Sequence, residues 1–156
     1  MAIVWRAQEL VEREENHVYR AALAILKNRE DAEDVTQETF VKLFLKQPTF
    51  ESETHARAWL LRVAINLSKS RLRLVWRRRR ETLLESYPAP EPESRELLEA
   101  VMALRAPERT VVHLYYYEGY STAEIATLTG SRESTVRSRL SRARARLRAQ
   151  LEGEIP

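Results

Sequence analysis

The sequence predicts an all-α protein, two small helical domains joined by a flexible linker, and three features carry that reading. Apolar residues recur at spacings of three and four instead of two, the period of a helix with one buried face. Glycine occurs only at Gly119, Gly130 and Gly153, so strand signals and their turns are nearly absent. In "YPAPEPES", Tyr87 to Ser94, three prolines at alternate positions forbid a continuous helix and favour an extended tether. The chain then divides into an N-terminal domain over 1–80, an acidic proline-rich linker over 81–95 and a C-terminal domain over 96–156.

Composition narrows the class. A hydrophobic fraction of 44% in 156 residues supports a core, and the 31% of charged residues are mixed in sign, which argues against wholesale disorder. The formal net charge of +3 says little, but the charges are segregated. "RLRLVWRRRR", Arg71 to Arg80, is basic, whereas "REDAEDVTQE", Arg29 to Glu38, and "ETLLESYPAPEPESRELLE", Glu81 to Glu99, are acidic. Such blocks predict separate surfaces for separate partners. With no cysteine there is no disulfide, thiolate metal site or cysteine nucleophile. The opening "MAIVWRAQELVEREE" turns acidic too early for a signal peptide, and no run of about 18 apolar residues predicts a membrane span. A cytoplasmic protein without direct membrane insertion is expected.

The first helix is predicted over Leu10 to Lys27, with Val18, Ala21, Ala22, Ile25 and Leu26 inward. In "DAEDVTQETFVKLFLK", Ala32, Val35, Thr39, Phe40, Leu43 and Phe44 form an inner stripe, and Asp31, Asp34, Gln37 and Glu38 lie on or near the outer face. First-turn acids suit the helix dipole, but a face this compact is more than a cap requires. The third helix, "HARAWLLRVAINLSKSRLR", turns Ala56, Trp59, Leu60, Val63, Ala64 and Leu67 to the core. A second stripe on it, Arg62, Asn66, Lys69 and Arg73, is basic and free of acids. A solvated face normally mixes signs, so this one predicts a surface that tracks a phosphate backbone.

Beyond the linker, "YSTAEIATLTGSRESTVRSRL" is a helix-turn-helix pattern. Ser121 with Glu124 forms a capping box, Ile125 and Leu128 face inward, Gly130 supplies the turn, and a second helix begins near Arg132 or Glu133. Val136, Leu140, Ala143, Leu147 and Leu151 form its apolar stripe. Seven arginines crowd Gly130 to Leu151 with Glu133 as the one acid among them. Like charges this dense repel, so folding gives them little reason and a polyanion gives them one. Recognition helices present their N-terminal residues to base edges and their flanks to phosphates, and arginine suits both tasks. The candidate contacts are Arg132, Glu133, Ser134, Thr135, Arg137, Ser138, Arg139 and Arg142, with Arg146 on a phosphate.

With these blocks in this order, the chain resembles the extracytoplasmic-function (ECF) class of bacterial RNA polymerase sigma factors, from about Leu10 to Leu151. "DAEDVTQETFVKLF" and "ARAWLLRVAINLSKSRLR" are similar to sigma region 2, and "RTVVHLYYYEGYSTAEIATLTG" with "STVRSRLSRARARL" to region 4. The resemblance implies a region 2 helical bundle and a region 4 helix-turn-helix. It implies that Asp31, Asp34, Gln37, Glu38 and Phe40 meet the clamp coiled coil of core RNA polymerase, with Phe40 exposed beside the acids. It implies that Phe50 to Trp59 and the helix after it recognise the −10 promoter element, Asn66 matching a family asparagine there. Arg62, Lys69, Arg71, Arg73 and the arginines after Trp76 would hold phosphates, and the second helix of the helix-turn-helix would read the −35 element. Tyr115 to Tyr117 are most simply packing between the domains, with the polymerase flap as a further contact by resemblance. The class also implies an anti-sigma factor as partner.

Three positions depart from the family pattern. Ser70 stands where an aspartate is common, Pro107 lies two positions late, and Ser131 replaces an apolar residue after the turn glycine. They bear on −10 preference, on a helix start and on −35 contacts. Two other classes weigh less. A helix-turn-helix transcriptional regulator that does not bind core polymerase explains the C-terminal domain but not the stripe around Asn66. An enzyme is not expected: His17, His55 and His113 are scattered, Asp31, Glu33 and Asp34 lack a nucleophilic partner for metal chemistry, and no Walker-type loop is present. No cofactor or metal is predicted, and strand opening must draw on contacts to flipped bases and phosphates.

Overall fold

Helix α1 spans Ala7–Leu26, α2 Arg29–Lys46 and α3 Glu53–Arg78, and each packs on the other two. They belong to the first of two units, Met1–Arg80 and Glu81–Pro156, in a computed structural model that describes residues 2–78 and 92–152. Arg79, Arg80 and most of the acidic linker therefore lie outside the described residues. Among the described residues there is no strand.

The expected face of α1 is buried, and Leu10, Leu23 and Ala24 join it. The helix stops at Lys27, whose φ of 55° is left-handed and whose N–H donates to the Leu23 carbonyl at 2.9 Å. Asn28 then caps α2, its side chain accepting from the Asp31 N–H at 2.9 Å. In α2, Ala32, Val35, Thr39, Phe40 and Leu43 are buried, but Phe44 is not: it is 45% exposed, beside exposed Val41 and Leu45. Apolar residues run most of the way round this end of α2, and α1 and α3 cover only one side.

On α3 the buried row is Ala56, Leu60, Leu61, Ala64, Ile65 and Ser68, while Trp59, Val63 and Leu67 are half-buried. The helix is turned slightly from the expected orientation. Trp59, Leu60, Leu61, Val63, Ala64, Ile65 and Leu67 make an apolar surface too broad for spacing alone to locate its centre. Fully buried Glu14 of α1 helps set the rotation. Arg57 donates to its carboxylate through Nε at 2.7 Å and Nη2 at 3.3 Å, and Arg13 Nε at 3.2 Å.

In the second unit α4 spans Pro92–Met102, α5 Ala106–Val112, α6 Thr122–Thr129 and α7 Glu133–Glu152. Helix α4 begins inside the stretch expected to be linker, because a proline is tolerated at the first position of a helix, where its missing N–H leaves no bond unmade. Pro107 likewise sits in the first turn of α5. His113–Tyr117 continue α5 as a turn of π-helix, closed by the Glu118 N–H on the His113 carbonyl at 3.1 Å. Helix α7 packs on α4, α5 and α6 through buried Val136, Leu140 and Ala143. Leu147 is only half-buried and Leu151 is 38% exposed, since the neighbouring helices cover α7 fully only as far as Ala143.

Candidate nucleic-acid and docking surfaces

The acidic face of α2 is more connected than its sequence suggests. Asp34, Gln37 and Glu38 are exposed, but Asp31 is 6% exposed and Phe40 likewise 6%, so neither lies open on the surface. Arg71 of α3 closes over this face. Its Nη1 donates to Asp34 Oδ2 at 3.1 Å and lies 3.5 Å from Asp31 Oδ1. An arginine expected to hold phosphate is thus turned toward the acids of α2. The apolar surface beside the acids belongs to Val41, Phe44 and Leu45, not to Phe40.

On α3 Arg62, Asn66, Ser70 and Arg73 are exposed at steps of four, four and three, so they share a face, with exposed Leu74 beside its end. Lys69 is half-buried at its edge, and Arg73 Nη2 reaches Ser70 Oγ at 3.5 Å, across the position where an acid was absent. No acid pairs with Arg62 or Arg73 among the described residues. The loop before α3 is strapped down. The Ile3 N–H donates to the Phe50 carbonyl at 2.8 Å, and Trp5 Nε1 to the Pro48 carbonyl at 3.1 Å. Phe50 is fully buried, with ring centroids of Trp5, His55 and Trp59 at 5.7, 5.4 and 5.9 Å. Ser52 Oγ accepts from the His55 N–H at 3.0 Å and His55 Nδ1 from the Glu51 N–H at 3.0 Å, a local cap on α3.

The helix-turn-helix is built as its motif requires. Ser121 Oγ accepts from the Glu124 N–H at 3.1 Å, and Glu124 Oε1 from the Ser121 N–H at 2.9 Å, completing the capping box. Gly130 has φ 69°, a left-handed turn that a side chain would strain. Ile125 and Leu128 are buried. Helix α7 starts at Glu133, which is tied to α6 by Thr122 Oγ1 at 2.7 Å and to Arg137 at 3.3 Å.

Around α7 the candidate contacts separate by environment. Arg132, Glu133, Ser134 and Arg137 are exposed, whereas Thr135, Ser138 and Arg139 are half-buried. Arg139 Nη1 donates to Ser131 Oγ at 3.3 Å, so the departing residue after the turn glycine has a polar use. Arg142 is exposed but engaged, with Nη1 on Ser138 Oγ at 3.3 Å and Nε 3.5 Å from Glu108 of α5. Arg146 Nη1 is 3.7 Å from the same carboxylate. Arg144 donates through Nε to Tyr116 Oη at 2.7 Å, a bond that raises the guanidinium's pKa, and its charge lies over the Tyr115 and Tyr116 rings. The tyrosine run therefore serves α7 within its own unit, and Tyr116 and Tyr117 remain about half exposed.

Sequence reasoning missed the acid–arginine pairs Glu14–Arg57, Asp31 and Asp34 with Arg71, and Glu108 with Arg142 and Arg146. Each joins different helices, and no helical period reports on such a contact. Among the described residues no acid or histidine cluster is arranged to hold a metal ion, and no helix is long and apolar enough to cross a membrane.

Comparison with known proteins follows the same division. Residues 10–78 match the sigma-70 region 2 family and residues 94–147 the sigma-70 region 4 family. The chain is 36% identical to the ECF RNA polymerase sigma factor SigE of Mycolicibacterium smegmatis over 92% of its own length, and spans 60% of that protein. It is 34% identical to the RNA polymerase sigma-E factor of Streptomyces coelicolor, covering 97% of this chain and 89% of the relative. Among solved structures, the sigma factor RpoE of Bartonella quintana, in complex with the anti-sigma factor NepR, matches with a TM-score of 0.79 at 25% identity over 94% of this chain and 96% of that one. CnrH, in complex with the cytosolic domain of CnrY, matches with a TM-score of 0.67 at 29% identity over 94% and 87%.

Proposed function

The chain belongs to the ECF RNA polymerase sigma factors, and from that premise we propose that it binds core RNA polymerase, directs it to promoters through their −10 and −35 elements, and helps open the strands. The observation that carries the reading is the pairing of two different basic surfaces in one chain. The α3 face of Arg62, Asn66 and Arg73 suits the −10 region, and α7, behind its capped turn, suits the −35 region. The 1–80 domain would dock on the polymerase clamp through Asp34, Gln37, Glu38 and the apolar end of α2, and the 96–156 domain on the flap. Asp31 and Phe40 would support this contact from below, not touch it. Two weak DNA-binding domains gain effective concentration once one polymerase holds both. Asn66 is neutral, and its amide both donates and accepts, which suits the edge of an unstacked base better than a phosphate.

The protein acts in the cytoplasm as an initiation factor and not as an enzyme in this reading, and an anti-sigma factor is its expected inhibitor, as NepR is partnered with RpoE. A regulator that binds DNA without polymerase leaves residues 10–78 without a role. The deciding experiment is transcription by purified core polymerase on promoter fragments, with permanganate footprinting of unpaired thymines. Transcription and footprints only when this chain is present are expected. Duplex binding with neither would replace this function with that of a simple regulator.

A further inference from the structure

Among the described residues of the second unit, Glu108 is a buried acid that faces the arginines of α7. It is 3% exposed, lies in the first turn of α5, and Arg142 Nε and Arg146 Nη1 approach its two oxygens at 3.5 and 3.7 Å. A first-turn acid suits a helix dipole, which explains the charge but not its burial. A buried carboxylate needs cationic partners, and these two are spaced one turn apart on α7, so one carboxylate serves both. Both arginine side chains remain about half exposed, 56% and 51%, with guanidinium edges left for another anion.

We propose that Glu108 is a positioning residue that acts as a charge brake on the DNA-binding helix. The inference rests on the reading of α7 as a DNA-binding helix and adds how strongly that helix holds any duplex. Two arginines facing one carboxylate present a net charge of about +1 where the helix alone would present about +2, and salt-dependent affinity follows the charge delivered to phosphates. The carboxylate also aims both guanidinium groups from beneath, while Ser138 holds Arg142 at 3.3 Å from the side. The consequence is weak attraction to random DNA, which leaves the choice of site to the polymerase-bound state.

The test uses the full chain and a labelled random-sequence duplex, with affinity measured by fluorescence anisotropy between about 50 and about 300 mM KCl. Glu108→Gln should steepen the dependence of log Kd on log salt by about one unit and tighten binding about eightfold at 0.1 M salt. Arg142→Gln with Arg146→Gln should flatten it, and adding Glu108→Gln to that pair should restore none of the steepness. Glu108→Asp, which keeps the charge, should bind as the wild type does. Should the amide impair folding by circular dichroism, Glu108→Met supplies a neutral chain of similar volume for the same comparison. A wild-type slope in the folded neutral variants, together with a flatter slope in the arginine pair, would overturn the brake while leaving α7 on DNA. An unchanged slope in the arginine pair would overturn both the brake and these two residues as DNA contacts.

Discussion

Helices α3 and α7 are both long and rich in arginine, yet they dispose of their charge in opposite ways. On α3 the arginines with described side chains divide into two populations. Arg57 and Arg71 are tied to acids of α1 and α2, and hold the three helices together. Arg62 and Arg73 share the outer face with Asn66 and have no acid opposite them among the described residues. On α7 the arginines of the middle turns are engaged while still reaching solvent: Arg137 with Glu133, half-buried Arg139 with Ser131, Arg142 and Arg146 with Glu108, Arg144 with Tyr116. Structural and outward-facing charge are separate residues on α3 and the same residues on α7. A guanidinium aimed by a partner at its side, as Arg139 is by Ser131, suits base reading; open charge like that of Arg62 and Arg73 suits holding a backbone.

The strongest way to break this contrast is at the structural pair of α3. Arg57→Ala leaves fully buried Glu14 with Arg13 alone among the described residues, and should destabilise the protein by about 3 kcal/mol in urea unfolding. A loss under about 1 kcal/mol would mean that the α1–α3 pair is not structural after all.

Next in size is the docking face. Asp34→Lys with Gln37→Lys should weaken association with core polymerase by about 2–3 kcal/mol, measured by co-purification. Because Asp34 also meets Arg71, Gln37→Lys alone is the cleaner control for folding. Undiminished association in both would place the docking surface elsewhere.

The sharpest contrast sets Arg139 against Asn66. Arg139→Ala should cost about 2 kcal/mol of promoter binding and relax preference at one position in a site selection. Asn66→Ala should leave duplex binding nearly intact and slow strand opening by roughly tenfold, about 1.4 kcal/mol, with recovery on a pre-melted bubble. Equal behaviour of the two variants would erase the division between reading and opening.

The smallest effect concerns the two turns that lead into these helices. Gly130 takes a left-handed φ of 69° before α7, whereas Gln47 takes φ 46° at the end of α2, ahead of α3. Glycine adopts that conformation freely, so Gln47→Gly should raise stability by about 0.5 kcal/mol, and Gly130→Ala should lower it by about 1 kcal/mol. Thermal unfolding measures both.

Much of this was legible in the sequence because it depends on neighbours along the chain. The α1 face, the Ser121–Glu124 box, the Gly130 turn and the start of α7 all follow from residues within a turn or two. The rotation of α3 was not legible, since an apolar surface from Trp59 to Leu67 fits more than one orientation. Nor were the acid partners of Arg71 and Arg142, because they lie on other helices and a charged residue carries no periodic mark of which acid it will meet. Phe40 and Phe44 are four apart and equally apolar, and only the limited reach of α1 and α3 decides which is covered.

The strap at the start of the chain has a consequence for the order of folding. Trp5 must find Pro48, 43 residues further on, before the loop ahead of α3 is fastened. During synthesis the opening residues leave the ribosome well before their partners exist. The helical hairpin of α1 and α2 can close early from local contacts, but Trp5 waits for a partner made 43 residues later. The loop ahead of α3 is therefore completed among the last events in the folding of the first unit.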